Sequence, residues 1–186
     1  MEYSEIGTWS EAKLEIDRKY AKAYSTILSK QEKLTHLYID AFAGPGLHRA
    51  KLSGRFVTGS PLNALQVEPP FAEHHFIDLD NERVRALEEV AADHSGVHLY
   101  QGDANRVLIE DIFPHLEYTS FRRALCLLDP YGLDLRWEVI RRAGELGHGG
   151  DLLELPDPRH EPQRVDQGPQ QDGGQPGQED GRLLGR

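Results

Sequence analysis

The chain has 186 residues, enough for one domain with its own hydrophobic core. Its formal net charge of −10 excludes a protein that is basic overall and holds nucleic acid by counterion release alone, although it allows a local basic cleft. The single cysteine, Cys126, excludes a disulfide framework and a cysteine zinc site, and its apolar neighbours predict a buried structural thiol. The acidic N-terminus carries no apolar leader and no run approaches membrane-spanning length, so we expect no membrane segment and a cytoplasmic location.

The most informative stretch is residues 34–46, where an apolar strand ends at Asp40 and small residues and two glycines follow. Glycine tolerates positive φ and carries no Cβ, so the backbone at Gly44 and Gly46 can lie against a ligand. In open α/β sheets the ligand crevice lies beyond the carboxyl ends of the strands. We therefore predict that Asp40, Phe42, Gly44 and Gly46 hold the methionine end of S-adenosylmethionine. The alternative is a glycine turn that serves only the fold.

Strand-like and helix-like segments alternate up to about residue 147. Apolar strands are predicted at 34–40, 72–78, 97–101 and 123–129, and helices at 9–28, from 60, 80–92, 107–113 and 137–146. This alternation predicts an α/β fold with a parallel sheet. The polar segment 48–58 is predicted to be a solvated loop, with substrate contact as the alternative, and Lys13 is predicted to lie on a solvated helix face.

Two further strands end in an aspartate, and a third is followed by one in the next turn. Asp78 is placed where nucleoside-binding folds put an acid on the ribose hydroxyls. Asp103 can accept from the adenine amino group, or it can cap the helix that follows. Asp129, Pro130 and Tyr131 follow the most apolar strand, where they can accept from and stack on a planar substrate amine. Their alternative role is a sharp turn with the tyrosine packed as a lid.

The pattern breaks at residue 148. From there the chain is rich in Gly, Pro, Gln, Asp and Arg and has no hydrophobic periodicity, which predicts a disordered segment over 148–186 and a folded domain over 1–147. The sheet is then incomplete at its C-terminal side, because no fifth strand is predicted beside 123–129.

Two other classes of site are not expected. The turn at Gly44 and Gly46 lacks the G-K-[ST] of a phosphate-binding P-loop. The nine histidines are scattered, and His74 and His75 point to opposite faces of one strand, so no metal site is predicted.

Taken in order, these motifs resemble the three-Cys-motif partner protein (TcmP) family. The resemblance covers residues 6 to about 147 and rests on these segments: 6–9 with Lys13, 38–46, 59–62, 76–80, 102–105 and 128–132, with Trp137 behind them. It implies a Rossmann-like domain of the S-adenosylmethionine-dependent methyltransferase type. It also implies a partner, a three-Cys-motif protein whose cysteines suggest radical chemistry.

The residues and the resemblance together predict methyl transfer from S-adenosylmethionine to an amine, with nucleic acid as one candidate acceptor. Asp129, Pro130 and Tyr131 would receive the amine, but the segment departs from the usual amino-methyltransferase pattern because it lacks a second proline before the aromatic residue. Two alternatives remain. One is a non-catalytic binding partner of the three-Cys-motif protein, and the other is a truncated product without function.

The break at residue 148 predicts a frameshift. With suitable synonymous codons from Gly149 onward, the next reading frame encodes VEIFLNFP, an apolar strand followed by residues that resemble the continuation of the family. The sequence therefore predicts that an out-of-frame segment has replaced the natural C-terminal part.

Overall fold

The computed structural model describes residues 4–116, 118–130, 135–146 and 150–154; for Ser4, Tyr118 and residues 150–154 it describes the backbone only. Eight strands fall within these residues: β1 (Ser4–Ile6), β2 (Thr35–Asp40), β3 (Leu47–Ala50), β4 (Phe56–Thr58), β5 (Glu73–Asp78), β6 (Val97–Gln101), β7 (Arg122–Leu128) and β8 (Gly150–Glu154). The α-helices are α1 (Thr8–Leu28), α2 (Ser60–Leu65), α3 (Asn81–Ala91), α4 (Ala104–Val107) and α5 (Trp137–Glu145). A π-helical segment, Leu108–Ile112, and a short 3-10 segment, Phe113–His115, continue α4.

Five strands form one parallel sheet in the order β6-β5-β2-β7-β8. The chain adds β5 and β6 on one side of β2 and then returns to add β7 and β8 on the other side. Asp40, at the end of β2, pairs with Phe76 of β5 and Leu127 of β7. The predicted Rossmann-like α/β fold with a parallel sheet is confirmed. In such folds the ligand crevice lies where the strand order reverses, beyond the carboxyl ends of the strands.

Helices cover both faces of this sheet. Side chains alternate along β2, so Leu37 and Ile39 face one layer while Tyr38 faces the other. The first layer contains the segment from α4 to Leu116 together with α5, and the second contains α1, α2 and α3. No helix in the described part of the chain combines the length and the hydrophobicity that a membrane span needs. Cys126 is buried in β7, as predicted, and burial raises the pKa of its thiol far above its usual value.

The fifth strand differs from the domain prediction. The composition after residue 147 predicts no strand, yet β8 pairs in parallel with β7 from Ala124 onward. Only Leu152 and Leu153 are apolar in β8, so periodicity does not mark it, and it is defined by pairing with the backbone of β7. The described part of the sheet therefore extends to Glu154, beyond the boundary predicted at residue 147.

The segment predicted to be a solvated loop instead forms part of a second, small sheet. β3 pairs in parallel with β1 and antiparallel with β4, and the Gly54 N–H donates to the Ala50 carbonyl (2.8 Å) in the connecting turn. Strands of three or four residues are too short to show an alternating pattern, and the pairing with β1 joins residues more than forty positions apart. The sequence pattern alone therefore gives no signal for this sheet.

Candidate functional site

A cavity of about 860 Å³ lies beyond the carboxyl ends of β2, β5 and β6. We call it the crevice, and it is lined by Ala41, Phe42, Asp78, Leu79, Asp80, Arg83, Gly102, Asp103, Ala104, Asn105 and Arg136. Three residues predicted for cofactor binding, Phe42, Asp78 and Asp103, line it together. The crevice thus lies beyond the carboxyl ends of parallel strands, the edge at which the fold class binds ligands, on the side of β2 that carries β5 and β6.

Asp78 joins two of the turns that form the crevice. Its Oδ2 accepts from the Gly44 N–H (2.9 Å), and its Oδ1 accepts from the Asp80 N–H (2.8 Å). Arg83 Nη1 lies 3.7 Å from Oδ2. The side chain is only 7% exposed, so these donors replace much of the water that an ionised carboxylate would otherwise bind.

Asp103 acts as a helix cap and also faces the crevice. Its Oδ1 accepts from the backbone N–H of Asn105 (3.0 Å) and from the Asn105 side chain (2.9 Å), and these contacts lower the pKa of Asp103. Arg136 Nη2 lies 3.7 Å from Oδ2. The Arg136 N–H in turn donates to Asn105 Oδ1 (2.7 Å), which fixes the entry to α5 against this wall. Of the two roles predicted for Asp103, the structure shows the helix cap. The cap uses Oδ1 and leaves Oδ2 for contacts on the side of the crevice.

Asp40 lies beneath the glycine turn and is almost fully buried. Its Oδ1 accepts from the Phe42 N–H (3.1 Å), whereas no described residue lies at hydrogen-bond distance from its Oδ2, although the Ser60 hydroxyl is near enough to affect the carboxyl. Burial raises the pKa of Asp40 to about 7; the Ser60 hydroxyl and the Phe42 N–H oppose the rise, and the carboxylates of Asp129 and Asp78 add to it. Three strand ends therefore lie close enough for their carboxylates to influence one another.

The glycine turn has the backbone conformation that the sequence predicts. Gly44 and Gly46 have φ values of +67° and +79°, a region that residues with a Cβ rarely adopt. A Cβ on Gly46 would lie 3.2 Å from Leu87 Cδ2, so this glycine also allows α3 to pack closely. Gly44, Gly46 and Asp40 are absent from the lining of the crevice, and they form its support rather than its wall.

The predicted acceptor segment is only partly described. Tyr131 lies outside the described residues, and neither Asp129 nor Pro130 lines the crevice. Asp129 Oδ1 accepts instead from the Lys13 ammonium group of α1. The prediction that Lys13 is solvated is wrong: its side chain is 11% exposed, because α1 packs across the sheet and directs Lys13 to the end of β7.

A second buried carboxyl, Asp17, belongs to the same helix. Tyr38 of β2 donates its hydroxyl to Asp17 Oδ1 and Oδ2 at 3.2 and 3.0 Å. Burial raises the pKa of Asp17 to about 7, the carboxylates of Asp40 and Asp129 add to the rise, and the Tyr38 hydroxyl opposes it. Asp17, Asp40 and Asp129 therefore form a coupled acidic group between α1 and the sheet, and Lys13 pairs with its outer member.

The sequence analysis assigns no role in the site to four residues of this region: Lys13, Asp17, Asn105 and Arg136. The two on α1 could have been found from helical spacing, because positions 13 and 17 share a face with the buried residues Ala21 and Tyr24. Asn105 and Arg136 come together only through tertiary packing. No local pattern marks their contact.

Comparisons with known proteins address the fold. No family model matches the sequence, and no curated protein matches it. Among solved structures, the chain is similar to an Escherichia coli protein described as "Putative methyltransferase yhhF", with 16% identity, a TM-score of 0.43, and coverage of 69% of this chain and 60% of that one. It is also similar to a protein of Legionella pneumophila str. Philadelphia 1 from the DUF519 family, with 14% identity, a TM-score of 0.50, and coverage of 70% and 60%.

The chain thus spans about 60% of the length of each of these structures. At such identities the likeness shows the fold alone, and at a TM-score of 0.43 the Escherichia coli protein adds no independent support. The Legionella pneumophila structure agrees with the Rossmann-like α/β fold that the strand order defines. The activity of this chain has to be argued from its own site.

Replacing Lys13 with methionine tests the ion pair at the end of β7. Lys13→Met keeps the aliphatic stem but leaves Asp129 without its cation, so we expect a loss of about 1.5–3 kcal/mol in the free energy of unfolding. Lys19→Met is the matched control, because Lys19 is 71% exposed and its pair with Glu15 (3.4 Å) is an exposed one. Denaturant unfolding measures both variants, and equal losses would contradict a buried role for Lys13.

The raised pKa of Asp17 predicts a pH dependence of stability. The folded-state pKa of about 7 lies above the ordinary value of 3.8. Between these two values the folded chain keeps a proton that the unfolded chain has lost, so stability falls as the pH rises toward 7 and then levels off. Asp17→Asn removes this proton and still accepts from Tyr38. We expect the fall between pH 5 and 7 to become shallower by up to about 1.4 kcal/mol per pH unit.

Denaturant unfolding at several pH values measures the slope. Asp93→Asn, at an exposed aspartate in the turn before β6, is the control and should leave the slope unchanged. An Asp17→Asn slope identical to that of the unmodified protein would show that Asp17 does not bind the proton.

Proposed function

We propose that this protein binds S-adenosylmethionine in the crevice and is a methyltransferase-like protein that acts on an amine, with nucleic acid as one candidate acceptor. One observation carries the proposal. A cavity of cofactor size lies beyond the carboxyl ends of β2, β5 and β6, and Asp78 and Asp103 line it at the ends of adjacent strands.

The charged groups of the crevice fit an adenosyl group. Each oxygen of Asp78 accepts one backbone N–H and keeps a further lone pair, so the carboxylate can also accept from two vicinal ribose hydroxyls. The helix cap uses Oδ1 of Asp103, so Oδ2 can accept from the adenine amino group. The apolar side chains of Phe42 and Leu79 offer surface for the purine ring.

The methionine end is proposed to lie at the glycine turn. Among the described residues Asp40 Oδ2 is buried without a partner at hydrogen-bond distance, a costly state that a ligand ammonium group would relieve. Because Asp40 does not line the crevice, the glycine turn would have to open for this contact to form. Gly44 and Gly46 keep side chains out of this approach. Ligand binding would then favour ionised Asp40, opposing the effect of burial on its pKa.

S-adenosylmethionine supplies, when bound, a methyl group that is already activated for transfer. The chain then has to hold the cofactor, align the acceptor and exclude water. Asp129, Pro130 and Tyr131 are proposed to receive the acceptor amine at the end of β7. Because Lys13 already donates to Asp129, an acceptor amine would have to share or displace that ammonium group.

The Lys13–Asp129 contact also favours a second candidate function. If the carboxylate proposed for the acceptor is permanently paired, the chain would be a non-catalytic partner of a three-Cys-motif protein, as the family resemblance implies. We propose TcmP family membership on the order of the motifs from residue 6 to about residue 147. The common fold agrees with it and does not establish it.

We also propose that the codons after residue 148 are read out of frame. The support is the apolar strand VEIFLNFP that the other frame can encode. The structure contains β8 beside β7, so the sheet does not lack a fifth strand. A missing strand therefore no longer supports the frameshift. The nucleotide sequence decides the question: we expect an apolar strand in the alternative frame, and its absence from every frame would contradict the proposal.

Calorimetric titration with S-adenosylmethionine tests the binding site. We expect the unmodified protein to bind and Asp78→Asn to bind at least tenfold more weakly, because an amide accepts fewer hydrogen bonds than a carboxylate and lacks its charge. Asparagine keeps the size of the side chain and can still accept one of the two backbone N–H groups. A thermal unfolding curve confirms that the variant is folded.

Asp93→Asn is the matched control for this titration, because residue 93 is exposed and lies outside the crevice. Its affinity should equal that of the unmodified protein. No binding by the unmodified protein would contradict the cofactor proposal and favour the non-catalytic role. Equal affinities for Asp78→Asn and Asp93→Asn would show that the ligand binds elsewhere.

A further inference from the structure

A second cluster of chemically capable side chains lies near the amino ends of the strands, away from the crevice. Glu73 and His75 are two residues apart in β5 and therefore share a face of the sheet, and His98 of β6 is paired in register with His75. They line a separate cavity of about 450 Å³ together with Asp111 and His115 of the helical segment that packs on this face. Neither the family resemblance nor the proposed function uses any of them.

We propose that Glu73, His75 and His98 form a binding site for a divalent transition metal ion, with Zn²⁺ the best fit. One ligand atom from each residue lies within 4.8 Å of the other two. His75 Nε2 is 3.3 Å and His98 Nε2 is 3.7 Å from Glu73 Oε2. A tetrahedral ion with ligand bonds of about 2.0–2.1 Å has ligands about 3.3–3.4 Å apart, so two of the three edges already approach that size.

His75 is held by a partner at each ring nitrogen. Nδ1 lies 3.0 Å from Tyr100 Oη, and Nε2 donates to Glu73 Oε2 (3.3 Å). Metal binding would require the other tautomer, in which Nδ1 donates to the tyrosine and the lone pair of Nε2 points toward the ion, the usual arrangement behind a metal-bound histidine.

Arg122 of β7 hydrogen-bonds to the Glu73 carboxylate. Its Nη1 and Nη2 donate to Glu73 Oε1 and Oε2 at 3.0 and 2.6 Å, and this contact lowers the pKa of Glu73. A carboxylate ligand that is itself hydrogen-bonded is held in one orientation, although the positive charge of the guanidinium group opposes that of the ion. Arg122 thus holds the Glu73 carboxylate in one orientation, as hydrogen-bonding partners of metal ligands commonly do.

His98 is the residue whose side chain would turn when the ion binds. The rings of His75 and His98 are stacked, with centroids 4.7 Å apart and planes at 15°, so one of them has to turn for both lone pairs to converge. The His98 side chain is 48% exposed and can turn at little cost, whereas His75 is held. The three residues line the cavity, so a water molecule could take the fourth position of a tetrahedron. Two nitrogens and one oxygen favour Zn²⁺, Co²⁺ or Ni²⁺ over Mg²⁺ and Ca²⁺.

Titration of chelator-stripped full-length protein with Co²⁺ tests this site. Tetrahedral Co²⁺ with histidine ligands absorbs visible light, so we expect a visible band that saturates at one ion per chain and is removed by one equivalent of Zn²⁺. His75→Ala and His98→Ala should each weaken Co²⁺ binding at least tenfold. Tyr100→Phe, which removes only the partner of Nδ1, should weaken it about tenfold.

The control is His94→Ala, which removes an exposed histidine outside the cluster and should leave the Co²⁺ affinity unchanged. Because His98 is half-exposed, His98→Ala is expected to fold even if His75→Ala does not, and a thermal unfolding curve checks both. The absence of a saturable visible band would overturn the proposal. So would an unchanged affinity in folded His98→Ala.

Discussion

The contact on which the crevice depends is the one between the Asp78 carboxylate and two backbone N–H groups. One belongs to Gly44 in the turn after β2 and the other to Asp80 in the turn after β5. A single buried side chain therefore fixes the distance between neighbouring strand ends before any ligand arrives. Gly44 can make the contact because its φ of +67° is accessible to glycine. A preformed crevice lowers the conformational cost of binding.

Several acidic side chains lie at the same edge of the sheet, and burying them lowers the stability of the fold. Asp17 and Asp40 are each about 1% exposed, and among the described residues a lysine pairs with Asp129 but not with these two. Two buried carboxyls with pKa values raised to about 7 weaken the fold at neutral pH. Asparagine would avoid this penalty while keeping most hydrogen bonds. Groups held in this way cluster at functional sites, and this supports a ligand-binding role for the end of β2.

Much of the central fold is predictable from the sequence, because continuous apolar runs separated by helical patterns define a parallel sheet. The strands at 97–101 and 123–129 are predicted to within one residue of β6 and β7. The glycine turn and the aspartates at the strand ends are also predictable. Their positions follow from the rule that parallel strands direct their carboxyl ends to one edge of the sheet.

The remaining features depend on pairings that no local pattern records. β8 has only two apolar residues, and its strand state comes from pairing with β7. The cluster of Glu73, His75 and His98 depends on the register of His75 with His98, and register is a property of two strands rather than one. Lysine is usually a surface residue, and Lys13 is buried only because its helix packs across the sheet.

Successive strand ends are proposed to form one crevice that binds an adenosyl cofactor. Two-dimensional NMR of the ¹⁵N-labelled protein during titration with S-adenosylmethionine tests this proposal. We expect saturable shifts of backbone amides in three separate turns, at residues 41–46, 78–83 and 102–105, with little change near Glu73 and His98. Shifts confined to the small sheet or to the amino ends of the strands, or no shifts at all, would contradict it.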